Sequence, residues 1–176
     1  MIITNAKLNW TAVKTTNALS GKYQTDFFLE NDAAIALTEK IDAAWNEYKG
    51  STKKAQSLSY SYETDEDGNE TGRIKFKASQ SPNSRDGKYT FEVRVYDAKA
   101  NLIPKQQIPN IGNGTVANLD ISIYPYTFQS NKGIKLNLNG IQIIKLEEFS
   151  NGPDFSSQDE GYVSENSFVA AQNPNL

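Results

Sequence analysis

Apolar and polar residues alternate with a period of two through most of the chain, and once, early on, the period lengthens to a helical one. KLNWTAV, residues 7–13, and KYQTDFFLE, residues 22–30, predict strands; in the second, Tyr23, Thr25, Phe27 and Leu29 alternate with Lys22, Gln24, Asp26 and Phe28. The period then changes. Ala34, Leu37, Ile41, Trp45 and Tyr48 follow at spacings of three and four, which predicts a helix capped by Asn31 or Asp32, stopped near Gly50, with Trp45 packing inward.

Alternation returns in LSYSYETDEDGNETGRIKFKAS, residues 58–79, where Asp67-Gly68 predicts the turn of a hairpin. On its return strand Ile74, Phe76 and Ala78 face one way and Arg73, Lys75 and Lys77 the other, so three cations stand in a row roughly 7 Å apart. Such a row also serves as a solvated edge that discourages aggregation. In YTFEVRVYD, residues 89–97, Tyr89, Phe91, Val93 and Val95 form the expected inward set, and Arg94 and Tyr96 share the polar face. An irregular link, residues 101–115, carries two prolines and the Gly112-Asn113-Gly114 turn. Two last strands follow. Leu119, Ile121 and Ile123 face inward on the first, with Asp120, Ser122 and Tyr124 outward, and Pro125 marks an edge, bend or bulge. After the SNKG turn, Leu136 and Leu138 face inward until Gly140 interrupts the alternation, which predicts a register shift before Ile141 and Ile143.

About seven short strands and one helix, without a βαβ rhythm, predict a small closed or half-open barrel, with a β-sandwich as the competing architecture. The stretch IYPYTF, residues 123–128, does not fit a plain barrel strand, because alternation puts Tyr124, Tyr126 and Phe128 where water should be.

Composition narrows the chemistry. The chain of 176 residues contains no Cys and no His, which removes disulfides, thiolate metal sites and the commonest general base. No apolar run approaches the length of a membrane helix and no secretory signal is visible, so a cytoplasmic protein is the expectation. The acidic turn (Asp65, Glu66, Asp67, Asn69, Glu70) lacks the ligand spacing of an EF-hand, and no metal or cofactor is expected. Charge is divided unevenly. All 18 Lys and Arg lie at or before Lys145, whereas six of the 21 acidic residues lie beyond it. A mildly basic body, residues 1–149, thus joins an acidic segment, residues 150–176, rich in Ser, Asn, Gly and Pro and expected to be disordered.

Outward rings beside cations suit single-stranded nucleic acid, with bases stacking on the rings and phosphates meeting Lys and Arg. The candidate cations are Arg73, Lys75, Lys77, Arg94 and Lys132; the candidate stacking residues are Tyr60, Tyr62, Tyr96, Tyr124, Tyr126 and Phe128. Tyr60 and Tyr62 share the parity of Leu58, which leaves a core position open to them. A glycan-binding domain, a phage structural or adaptor protein using the rings as a protein interface, and a carboxylate hydrolase are the alternatives. The last is weakest, since Glu147-Glu148 and Asp159-Glu160 lie in or near the tail, where nothing fixes a catalytic geometry.

From Ile111 to Leu146 the sequence IGNGTVANLDISIYPYTFQSNKGIKLNLNGIQIIKL resembles the C-terminal part of the OB-fold in bacteriophage single-stranded DNA-binding proteins, and GKYQTDFFLE followed by a helix fits the same pattern. The resemblance covers most of residues 2–146. It implies a mainly β, OB-fold-like five-stranded barrel with extra strands and one helix, coating single-stranded DNA without catalysis in phage replication and recombination. It further implies a disordered acidic tail that docks replisome partners and competes with DNA. The chain departs from the family's pattern at its end, AAQNPNL, where such tails often close on acids and an aromatic. Monomer and homodimer both stay open.

Overall fold

The computed structural model describes residues 1–148. Among these residues seven strands form in chain order: β1 (Ile2–Ala12), β2 (Tyr23–Phe28), β3 (Tyr60–Thr64), β4 (Glu70–Gln80), β5 (Arg94–Tyr96), β6 (Val116–Phe128) and β7 (Asn131–Lys145). The one α-helix among the described residues, α1 (Asn31–Tyr48), lies between β2 and β3. The expected disordered tail, residues 150–176, and the domain boundary before it lie outside the described residues.

Five strands close a barrel. β1 pairs antiparallel with β2 and β6, β2 with β4, and β6 with β7, and the parallel pair β4–β7 (Ala78↔Leu136, Ser79↔Asn137) completes the ring. That closure excludes the sandwich. β3 and β5 are the extra strands, added to β4 and to the far half of β7. The interior holds the predicted alternating residues Phe27, Phe76, Ala78, Leu119, Ile121, Leu136 and Leu138, joined by Ala6 and Leu8 of β1, each fully buried. Phe27 and Phe76 stack with centroids 5.3 Å apart across the β2–β4 pair. The helix adds Ala34, Leu37, Ile41 and Trp45 to this core, and each large apolar side chain so buried contributes about 1.5–3 kcal/mol.

Several expectations are met by specific mechanisms. Gly50 has φ +56° just past the helix end, the left-handed residue a helix stop uses. The register of β6–β7 shifts where predicted, since Asp120 pairs with Gly140 and Ile121 with Leu138, leaving Asn139 as the extra residue. A side chain on Gly140 would approach the Arg94 carbonyl to 3.3 Å, so glycine lets β5 come close. Pro125 sits in β6 beyond the last β1 pair, where its missing N–H removes no ladder bond.

Four expectations are corrected. Glu30, not Asn31 or Asp32, is the N-cap, and no side chain bonds the helix start. β1 begins at Ile2 rather than Lys7, its polar TNA stretch absorbed by a positive-φ residue, Asn5, and a register shift. Phe28, expected outward beside water, is 6% exposed, because the Arg73 guanidinium covers its ring at 4.1 Å. Finally, only Arg94–Tyr96 of residues 89–97 forms a strand; Val93 and Val95 are buried as expected, but Tyr89 and Phe91 are 65% and 41% exposed.

Candidate nucleic-acid interface

Strand alternation decides which candidates can share a surface. On β4, Arg73, Lys75 and Lys77 all face outward, opposite the buried Phe76 and Ala78. Their surroundings differ. Arg73 is committed to the Phe28 ring and to Glu63 at 3.3 Å. Lys75 stands across from Phe28 and Ser61, and Lys77 across from Asp26, whose Oδ1 is buried without a hydrogen-bond partner among the described residues.

The outer row of β7 carries this surface onward. Where β4 meets β7, Ser79 stands beside Asn137, and one step earlier along both outward rows come Lys77 and Lys135. From Gly133 through Lys135, Asn137 and Asn139 to Gln142, the outward row of β7 runs roughly 30 Å. β6 flanks it with Tyr126, Tyr124 and Ser122, paired with Gly133, Lys135 and Asn137. The Lys135 ammonium lies 4.8 Å from the Tyr124 ring centroid. Burial of this lysine, and then the nearby charge of Lys22, push its pKa down. Tyr124 and Phe128 are 51% and 60% exposed. Tyr126 is half-buried, its ring lying over Gly133, where an added Cβ would meet the hydroxyl at 2.6 Å. The opening puzzle of IYPYTF resolves into two exposed rings and one that covers a glycine.

At the far end of the β7 row, β5 sets Arg94 beside Gly140 and Tyr96 beside Gln142. Both line a concavity of about 580 Å3. The candidates Lys75, Lys77, Tyr124, Arg94 and Tyr96 therefore lie along one outer face that follows β4, β7 and β5. Three others do not. Lys132 alternates to the opposite side of β7, where its ammonium reaches the Lys49 carbonyl at the helix end (3.4 Å) and the Tyr48 ring (5.1 Å). Tyr60 pairs with Phe76 on the inward face of β4 and donates its hydroxyl to Asp42 at 2.9 Å. Burial first, and then that carboxylate, push the Tyr60 pKa up to about 12, the signature of an anchored structural phenol. Tyr62 pairs with Ile74 on the same inward parity, exposed only because the hairpin outruns the barrel.

Within OB-folds, oligonucleotides bind on the face of the second and third barrel strands and on the loops joining strands one to two and four to five. Here those are the outer side of β2 and β4, the loop before Tyr23, and the β6–β7 tip. Residues 54–146, more than half of the chain, match the family model described as single-stranded DNA-binding protein, bacteriophage T7.

The chain belongs to that family.

It is a family of binding proteins, not enzymes. No curated protein matches the chain. Among solved structures, gp2.5, a single-stranded DNA-binding protein encoded by bacteriophage T7, superposes with a TM-score of 0.58 at 20% identity, covering 93% of this chain and 98% of its own. The single-stranded DNA-binding protein of bacteriophage Enc34, solved in complex with ssDNA, gives 0.60 at 15% identity, over 84% of this chain and 86% of that one. Its C-terminal truncation gives 0.61 at 14% identity over the same shares. These likenesses share the fold.

The sequence reading missed three residues of note. Lys135 directly precedes the inward-read Leu136 on β7, and strand alternation therefore turns it outward. Lys7, outward on β1 opposite Phe28, extends the cationic face by one strand. Trp10 is 70% exposed because a positive φ of 52° turns it out of the inward set of Ala6 and Leu8, and its N–H is held by Asn113 Oδ1 at 2.8 Å. The Gly112-Asn113-Gly114 turn thus fixes that tryptophan's backbone, a contact no local pattern announces.

Proposed function

We propose that the protein coats single-stranded DNA, without requiring a sequence, through stacking of bases on exposed rings and contacts of Lys and Arg with phosphates. The observation that carries this reading is the continuous outer face from Lys75 and Lys77 across Lys135 and Tyr124 to Arg94 and Tyr96, in a chain of this family. Phe128 at the β6–β7 tip extends it. Rings accept any base because every base has a π-face, at about 1–3 kcal/mol per stack, and the cations supply a salt-dependent, sequence-independent term.

Residues 1–149 form the DNA-binding domain in this reading, and residues 150–176 an acidic tail that competes for the cationic face and recruits replication partners. The setting is phage DNA replication and recombination in the host cytoplasm. Among the described residues no helix is long and apolar enough to cross a membrane.

The test is fluorescence anisotropy with a labelled oligothymidine and duplex DNA as competitor, across a salt series. Four phosphate contacts, by Lys75, Lys77, Arg94 and Lys135, predict a slope of log affinity against log salt of about −2.8. Binding that duplex displaces as readily as single strand, or that ignores salt, contradicts the proposal. Truncation after Phe149 is expected to tighten binding at low salt; an unchanged affinity there removes the competing role of the tail.

A further inference from the structure

Trp10 is the bulkiest apolar side chain left exposed among the described residues, at 70%. Its exposure depends on a φ of +52°, a left-handed conformation that bulky residues rarely adopt; of five non-glycine residues with positive φ it is the one aromatic. Strain of this kind persists only where the surroundings hold it, and it gathers at ligand sites.

Two neighbours hold it here. The β1–β6 ladder ends with the Leu8 N–H donating to the Thr115 carbonyl at 2.8 Å and the Gly114 N–H to the Leu8 carbonyl at 2.9 Å. One step on, a side chain takes the place of the main chain: Asn113 Oδ1 accepts from the Trp10 N–H at 2.8 Å. On the other side of β1 the register to β2 slips between Asn9 and Ala12, and Thr11 turns inward, its Oγ1 2.8 Å from that of the fully buried Thr25. The bulge is thus pinned from both strands, and the indole stands outside it.

Its surroundings lean positive. Residues 1–25 contain three lysines, Lys7, Lys14 and Lys22, all exposed, and no acid. Of the acids on neighbouring segments, Asp26 stands opposite Lys77, and Glu147, beside Gly114, pairs with Lys145 at 2.8 Å. Lys22, where the β1–β2 loop returns to the barrel, lies near enough to Lys135 for its charge to lower that lysine's pKa, so this loop end adjoins the outer row of β7.

Resting on the DNA-coating reading above, we propose that Trp10 is a base-stacking residue and that Asn113 is the positioning residue that holds it out. The occupant is a nucleobase of the bound strand where it passes the β1–β2 loop, beyond the rings of β6. An indole face accepts any base, so the contact adds affinity without a sequence preference.

The chain has two tryptophans, and the other, Trp45, is 8% exposed in the helix core, so emission can be assigned to each. Trp45→Phe protein is titrated with oligothymidine while emission and the anisotropy of a labelled strand are followed together. Trp10→Phe, with Trp45 intact, supplies the reverse arrangement and guards against a core defect in the first variant. Emission of Trp45→Phe is expected to fall in step with saturation, and that of Trp10→Phe to stay level. Trp10→Leu keeps a side chain on the same backbone but removes the π-face; it is expected to bind about tenfold more weakly, within the range of one base–ring stack, with an unchanged salt slope. In the Trp45→Phe background, Asn113→Ala is expected to lower the emission change at saturation, and Asn113→Asp, which keeps the acceptor, to restore it.

Binding with level Trp10 emission, or full affinity in Trp10→Leu, overturns the role of Trp10 alone. Emission that shifts with protein concentration before DNA is added places a second copy on the ring and overturns it as well. An undiminished emission change in Asn113→Ala overturns the positioning role. Absence of any binding by the unmodified chain overturns the coating function itself.

Discussion

The β3–β4 hairpin and the β6–β7 hairpin both run past the strands that close the barrel, and each turns at a short tip. Along Glu63–Thr71 the first carries five acids, Glu63, Asp65, Glu66, Asp67 and Glu70. The second, from Ser122 to Leu136, carries no acid, two lysines, two tyrosines and a phenylalanine. The same backbone device thus ends in tips of opposite electrostatics, and of the two tips only that of β6–β7 is free of acids. The rings follow the same division, since Tyr60 and Tyr62 take the inward parity of β4 whereas Tyr124 and Phe128 take the outward parity of β7. Exposure alone would not have separated them: Tyr62 is 53% exposed and Tyr124 51%. Position relative to cations does.

The strongest way to break this contrast is charge reversal on the outward row of β4. Lys75→Glu with Lys77→Glu is expected to weaken single-strand binding by on the order of 100-fold at low salt and to flatten the salt slope. Because Lys77→Glu also faces Asp26, Lys75→Glu alone serves as the check that the loss is not unfolding, with circular dichroism as the monitor. Unchanged affinity would remove β4 from the site.

Ring removal sharpens the comparison next. Tyr124→Ala and Phe128→Ala should each cost about 1–3 kcal/mol of binding, while Tyr62→Ala should leave affinity within about twofold. A loss at Tyr62 equal to that at Tyr124 would erase the distinction between the hairpins.

A comparable effect falls on stability. Gly133→Ala would bring a Cβ to 2.6 Å from both the Ser57 carbonyl and the Tyr126 hydroxyl. Displacing that ring and strand is expected to cost about 1–3 kcal/mol in denaturant unfolding.

The acidic tip should matter least. Asp65→Ala is expected to leave DNA affinity within about twofold while loosening the tip, seen as faster exchange of the Asp67 and Asn69 amides, both of which donate to Asp65. Those hydrogen bonds, Asn69 foremost, hold the Asp65 carboxyl below its usual range. A depressed carboxyl stabilises the turn above its ordinary pKa and ceases to as pH falls through the lowered value, so amide protection at the tip should be present at neutral pH and fade in acid.

Much of the barrel was legible because alternation is local: the inward sets of β4, β6 and β7, the helix stripe, and the slip at Gly140 all follow from spacing of two or of three and four. What failed was set by distant parts of the chain. Phe28 is buried by Arg73, a residue of another strand, and Tyr89 and Phe91 are exposed because their stretch pairs with β7 only from Arg94 onward. Lys132 was grouped with the other cations by charge, but parity turns it to the helix end. The proposed site was half visible: its candidate cations and rings could be named from the strands, whereas their assembly depends on the parallel β4–β7 pairing between residues far apart in sequence.

Ultraviolet cross-linking of bound oligothymidine, followed by mass-spectrometric mapping of the attached peptides, tests that assembly most directly. Cross-links to Tyr124, Phe128 and Tyr96, with none on Tyr60 or Tyr62, are the predicted result. Cross-links concentrated on Tyr60 and Tyr62 would contradict it and move the DNA to the opposite face of the β3–β4 hairpin.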